Sequence, residues 1–514
     1  MIPPGNLARA ERPLHALNRV AFGPRPGELE RVRAIDAERY IDQQLDPESI
    51  PIPHDLIARV AAFETLRMTP VELFMRFREP LKKLPKGDPA ARKEVRRQAR
   101  RVVMEAVKAR LLRALYGPRQ LQEVMTAFWF NHFNVFVGKG LDLIWVGAYE
   151  QEAIRPHTMG RFRDLLGATA RHPAMLFYLD NWQNSAPGKA RNPRFDGINE
   201  NYARELMELH TLGVNGGYTQ HDVIALAHIL TGWGLVRREV FRPWQRRRIL
   251  RAGGVTDADG FFFDPRRHDF ASQVFLGQRI AGSGIGAGEQ ALDMLARHPA
   301  TAHHLSYELA QYFVADAPPG ALVDRMARRY LETDGHIREV LATLFTSAEF
   351  WDQRYRARKF KTPYEYVLSA ARLSGVEVTN FRPLAGWMQQ LGMPLYGRQT
   401  PDGYSQTEEA WLNPDGMMMR LSFATALGSG HMPLQAPDFE ETAEPNPLAT
   451  GDHRVTMPVA RPGKAGWKAS PLDPSMIAAA FGSELSGRTT AAVMAAPPQL
   501  RAALILGSPE FMTR

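Results

Sequence analysis

The chain has 514 residues, enough to bury a large core, and its 44% hydrophobic, 10% aromatic and 23% charged residues mark it as globular rather than disordered or fibrous. It contains no cysteine, which excludes disulfides, thiolate zinc sites, iron–sulfur clusters, c-type haem attachment and a cysteine nucleophile. The net charge is +9, but residues 76–113 alone hold 14 Lys/Arg against 4 Asp/Glu, so the rest of the chain sums to −1 and the excess is local.

The start, MIPPGNLARAERPLHAL, has no apolar segment followed by a small-residue cleavage site, so no signal peptide is visible; the chain is either cytoplasmic or given in a trimmed form. No stretch reaches the roughly 20 uninterrupted apolar residues of a bilayer span, so a soluble protein is expected. Apolar residues return at three- and four-residue intervals along most of the chain, which predicts helices over 14–20, 26–33, 36–45, 71–78, 120–136, 221–230, 300–314 and 337–345. Within the basic stretch, Val95, Ala99, Val102, Val103, Ala106, Val107 and Leu111 recur at helical spacing with arginines around the other side. The spacing predicts a long amphipathic helix ending near Gly117–Pro118, its basic face either solvated or turned to an anionic partner.

The echoed segments starting His172-Pro173-Ala174 and His298-Pro299-Ala300 each set Pro in the first turn of a helix, and both histidines are read as structural parts of helix caps. A second arginine run, Arg237 to Arg251, interleaves Phe241 and Trp244. No helix-turn-helix, finger or repeat signature accompanies it, so the arrangement argues for a polysaccharide or other anionic polymer over nucleic acid. Strand candidates are Phe261–Phe263 and Val274–Leu276, expected to pair as a short hairpin around 264–270. The expected class is therefore all-α: a large multi-helical body over 1–430, a Pro-rich loop or linker over 431–474, and a helical segment over 475–514 that docks back on the body.

The densest chemistry lies in NENYARELMELHTLGVNGGYTQHDV, from Asn199. Advancing about 100° per residue places Glu200, Asn201, Arg204, Glu205, Glu208 and Thr211 on one face, and Tyr202, Leu206, Met207, Leu209 and His210 on the other. On a solvated surface such a face needs no function. Here it runs directly into a Gly-rich turn at 213–217 that lets backbone approach a ligand. Read as a cleft, Glu200, Glu205 and Glu208 supply acid/base groups or cation ligands. Glu205 and Glu208 lie one turn apart, close enough to drive their proton affinities apart. Glu200 and Glu208 are about 12 Å apart along the axis, beyond the roughly 6.5–9.5 Å of an inverting glycosidase pair. A partner on a second element is then required, for which Asp222, Asp269 and Asp402 are candidates. Asn201, Arg204 and Asp402 would orient substrate, and Tyr218 and Trp233 offer sugar-stacking surfaces. His132, inside the aromatic run Phe128–Phe133, and His268 complete the binding set. No metal motif is present, although a divalent cation held by His132, Glu205, Glu208 and His268 stays open as an alternative.

The segments LNRVAFGPR from Leu17, FWFNHF from Phe128, IRPH from Ile154, HPAMLFYLDN from His172, the Asn199 segment above, TGW from Thr231, HD at His268, HPAT from His298 and the closing SPEF together resemble the large bacterial family named domain of unknown function 1800, over nearly the whole chain. The family has no assigned activity. Its members are commonly exported, which implies a periplasmic or secreted location. The family's aromatic motif often reads FWHNHF; Phe130 stands at the first histidine here and leaves His132 as the matching position. The expected function is an exported hydrolase acting on a polysaccharide or cell-envelope polymer. The alternatives are a non-catalytic helical binding or scaffold protein for an anionic polymer, and a metal-dependent oxidoreductase.

Overall fold

The computed structural model of the protein describes all residues except 1–4, 81–88, 191–195, 236–246, 248–249, 252, 258, 438–468 and 482–483. Helix takes 60% of the chain and strand 5%, so the fold is all-α with small β additions. One hydrophobic core runs from Leu7 to Met512, which ties the two ends of the chain into the same body.

Helix α1 (Arg12–Val20) buries Leu14, Leu17 and Val20. The long basic helix α2 (Pro89–Tyr116) stops before Gly117–Pro118, where Pro lacks the N–H a continuing helix needs. Its apolar stripe, Ala99, Val102, Val103, Ala106, Val107 and Leu111, is buried. Its cations are partly neutralised: Arg97 pairs with Glu94 at 2.9 Å, Arg101 with Glu105 at 2.7 Å, and buried Arg110 with buried Glu150 at 3.1 Å. Most of the second arginine run, including Arg237, Arg238, Arg242, Arg246 and Arg248, lies outside the described residues, as does the middle of the Pro-rich stretch.

Helix α3 (Gln120–His132) carries the aromatic run and ends four residues earlier than its periodicity suggests. Beyond it the chain is drawn into tertiary bonds, Val137 N to Tyr396 O at 3.0 Å among them. Helix α4 (Asp142–Tyr149) packs against α2, and α5 (Pro173–Tyr178) packs against α4. The polar segment forms helix α6 (Asn201–Glu208), which packs on α7 (Gln220–Ile229). Leu209–Thr211 leave the helix. Thr211 is buried and donates to Leu206 O at 2.7 Å, so it does not share the polar face, a correction to the helical projection.

The expected hairpin is also corrected. Strand β3 (Phe261–Phe263) lies between β1 (Trp233–Leu235) and β2 (Val255–Thr256), antiparallel to both. Strand β4 (Gln273–Phe275) pairs instead with β5 (Gln278–Ile280). Leu276 (φ 47°) and Gly277 (φ 74°) form the tight turn that closes β4 on β5, a two-residue connection with positive φ at both positions. Residues 264–268 turn back onto the end of α7, where Asp264 N donates to Gly232 O at 2.9 Å.

Helix α8 (Pro299–Phe313) brings His304 and Glu308 to one face. Helix α9 (Pro414–Gly428) receives α10 (Pro498–Leu506) so closely that a Cβ on Gly428 would lie 2.8 Å from Ala503 N. The ends of the Pro-rich stretch are anchored there: Ala469 N donates to Gly430 O and Leu472 N to Gly428 O, both at 3.0 Å. His172 and His298 are N-caps as expected. Each ring accepts the amide two residues on, from Ala174 and Ala300, at 3.1 Å.

Candidate functional site

On α6, the polar face divides into two parts. Arg204 reaches Glu200 at 3.0 Å and Gln220 Oε1 at 2.9 Å, and Gln220 Nε2 returns to Glu200 at 2.8 Å. This closed trio ties the start of α6 to the start of α7, so Glu200 and Arg204 are committed to the scaffold. Asn201 likewise donates to Leu179 O at 3.1 Å. Glu205 and Glu208 remain. Burial, then the neighbouring Glu208 carboxylate, push the Tyr218 phenol above its ordinary value. Glu205 is half-buried, and no hydrogen bond or ion pair holds its carboxylate among the described residues. Burial, then Glu208, then Asp402 raise its carboxyl above the ordinary value, against the opposing pull of Arg204.

The facing wall is the loop 398–404. Arg398 grips Asp402 through both carboxylate oxygens, at 3.0 and 2.9 Å. The loop is anchored by three side chains. Asn131 accepts Tyr404 N at 2.7 Å and donates to Tyr404 O at 2.9 Å. Asn134 donates to Arg398 O at 3.0 Å and Thr400 O at 2.9 Å, and the Tyr178 hydroxyl donates to Gln399 O at 2.7 Å. Gly403 (φ 68°) is required at this junction, since a Cβ there would lie 2.3 Å from Asn131 O. Tyr178 sits among Asp142, Asp402 and Glu205, which together with burial raise its hydroxyl. Asp142, at the start of α4, is fully buried with neither oxygen hydrogen-bonded, and burial drives its carboxyl well above the usual range. Glu205 thus has Glu208 and Asp402 as neighbouring carboxylates, while Arg204, Arg398 and Lys139 are already paired to Glu200, Asp402 and Asp180.

Several expected site residues are placed elsewhere. Trp233 is 0% exposed, stacked edge-on against Phe261 at 5.2 Å, and offers no face to a sugar. Asp222 closes a capping box with Thr219 and accepts Leu276 N at 2.7 Å, a structural cap that joins α7 to the β4–β5 turn. His268 is buried between Phe263 and Phe270, its Nδ1 2.8 Å from Thr231 O, and Asp269 pairs with His228 at 2.7 Å. His132 has both ring nitrogens committed, Nδ1 to Glu308 at 2.7 Å and Nε2 to His210 O at 3.1 Å, so it supports the cleft rather than contacting substrate. The set His132, Glu205, Glu208 and His268 is therefore not assembled. A cavity of about 40 Å³ beneath the loop, lined by Arg110, Asn131, Tyr312, Glu365, Tyr396 and Gln406, has room for a few waters and not for a sugar ring.

Tyr178, Asn134, Asp142 and Glu308 were not legible as site residues. The first two fall inside or beside the motifs HPAMLFYLDN and FWFNHF, whereas Asp142 and Glu308 carry no sequence signal.

The sequence profile of the family described as "Protein of unknown function (DUF1800)" matches residues 15–513. No curated protein and no solved structure matches the chain.

Proposed function

The chain belongs to this family of unknown function, and we propose that it is an exported hydrolase that cleaves a polysaccharide or cell-envelope polymer in the cleft between α6 and the loop 398–404. The observation that supports the reading is Glu205: a half-buried carboxyl with no partner, raised by burial and by two neighbouring carboxylates, one turn from Glu208. A carboxyl of raised proton affinity one turn from a second carboxylate is an arrangement that acid/base hydrolysis uses. Glu205 then donates the proton to the leaving oxygen, and Glu208 or Asp402 draws the proton from the attacking water. Tyr218, half-buried at the mouth, contributes an aromatic surface for a sugar ring.

The test is product release by the purified protein from a panel of bacterial and plant polysaccharides, with Glu205→Gln and Glu208→Gln alongside. Product from the parent chain, at least a hundredfold less from Glu205→Gln, and a parent rate that falls as pH rises above the usual carboxyl range are expected. Binding of polymer with no product from the parent protein overturns the hydrolase and leaves a binding protein in its place.

A further inference from the structure

At the end of the aromatic motif and just past it, three polar side chains, Asn131, His132 and Asn134, reach both α6 and the loop 398–404. Asn131 and Asn134 take the backbone of the loop, as described above. His132, between them in sequence, turns the other way, to the C-terminal end of α6, two residues beyond Glu208. There the carbonyls of Leu209 and His210 lack helix partners. His304 Nε2 lies 3.3 Å from Leu209 O, and His132 Nε2 lies 3.1 Å from His210 O. Glu308, on α8, stands between the two rings: Oε2 is 2.7 Å from His132 Nδ1 and Oε1 is 3.7 Å from His304 Nε2.

A carbonyl oxygen only accepts, so His132 Nε2 carries a proton. Its Nδ1 faces Glu308, whose carboxyl His132 and His304 hold below the ordinary value against its partial burial. The ring is thus held from both sides, by a carboxylate on α8 and by the free carbonyls at the end of α6. The titratable groups that face it are Glu308 and His304 from α8 and His210 from the end of α6. His210 is fully buried with Nε2 unpartnered, and burial and the two neighbouring histidines keep it neutral.

We propose that Asn131, His132 and Asn134 are positioning residues that set the gap between the Glu205–Glu208 helix and the Asp402 loop, and that Glu308 holds His132 in place on the helix side of this spacer. Releasing this clamp of His132 and Glu308 frees the turn 209–213, where the Leu209 and His210 amides bond Glu205 O and the Gly213 amide bonds Met207 O. The clamp stands on geometry alone; only its effect on catalysis rests on the hydrolase reading.

Amide hydrogen exchange on the full chain tests the proposal without any substrate. Glu308 is 31% exposed on its side chain, so Glu308→Gln keeps the fold where a change at buried His132 can break it. In Glu308→Gln the 209–213 amides are expected to exchange about tenfold faster with the Tyr404 amide unchanged, as for loss of one charge-assisted hydrogen bond. In Asn131→Ala the Tyr404 amide is expected to exchange faster with 209–213 unchanged. Unaltered 209–213 exchange in Glu308→Gln, or equal loosening of both walls in each variant, overturns the spacer. Exchange as expected from a protein that hydrolyses no polymer leaves the clamp standing and removes the hydrolase alone.

Discussion

Glu205 differs from its neighbours on the polar face in what surrounds it. Glu200 is tied to Arg204 and Gln220, and Glu208 lies beside Tyr218, while Glu205 meets mainly negative charge. Because its folded-state value is raised, the folded protein keeps the proton at pH values where the unfolded chain, at about 4.3, has lost it. Stability therefore falls as pH rises through this window, and the cost is complete above it. Glu205→Gln is expected to raise the thermal midpoint slightly at pH 7–8, by a fraction of a kcal/mol because solvent screens a half-buried group, with the gain vanishing near pH 4. A midpoint lowered at pH 7 would mean that the carboxylate is structurally satisfied. Trp233 makes the opposite case: its ring lies where a Cβ on Gly288 would come within 2.3 Å, so Trp233→Ala is expected to cost about 3–5 kcal/mol in urea unfolding and not to act selectively on polymer binding.

At the scale of elements, the caps follow from local sequence and the contacts between elements do not. The histidine of each His-Pro-Ala segment accepts an amide of the helix it starts, and Ser508 does the same for the Phe511 amide in the closing SPEF. His298→Ala removes this bond from the partly exposed start of α8, with an expected loss of about 1 kcal/mol in equilibrium unfolding. An unchanged midpoint would mean that Pro299 alone sets the start of the helix. The amphipathic pattern of α2 gave its buried stripe correctly, and periodicity located the polar helix. Periodicity carried on past Glu208, however, because Leu209–Thr211 still fit a helical projection; the chain leaves the helix there to present carbonyls to His132 and His304. In the same way Phe261–Phe263 is visible as a strand while its partners are not, since pairing is decided by what the intervening segment covers.

At the scale of the molecule, the last residues of the sequence close onto a group of buried cations. Lys361 donates to Phe511 O at 2.7 Å and Ser369 Oγ at 3.0 Å, and Arg514 pairs with Glu365 at 2.8 Å. Burial, with Arg514 and Arg420 nearby and against the pull of Glu365, lowers the Lys361 ammonium to about 7. In the unfolded chain it titrates near 10.4, so between these values the unfolded state binds the additional proton and stability rises with pH. Parent stability relative to Lys361→Met is accordingly expected to climb between pH 7 and pH 10 by a few kcal/mol at most, read from urea midpoints. A difference independent of pH would show that the lysine keeps its proton in both states across that range. Among the described residues no helix is long and apolar enough to cross a membrane.

The sequence by itself determined the all-α class, the family, the buried stripe of the long basic helix, the histidine caps and the helix that carries Glu205 and Glu208. All of these are set by residues within a few turns of one another. The tertiary structure alone decided which carboxylates face one another. Asp402 comes to Glu205 because Asn131, Asn134 and Tyr178 hold its loop from more than 200 residues away, whereas Asp222, Asp269 and Trp233, nearer in sequence, are drawn into caps, ion pairs and core. The physical reason is that a side chain's charge and hydrogen-bonding capacity are written in the residue, while what satisfies them depends on chain closure over distances that no local pattern encodes.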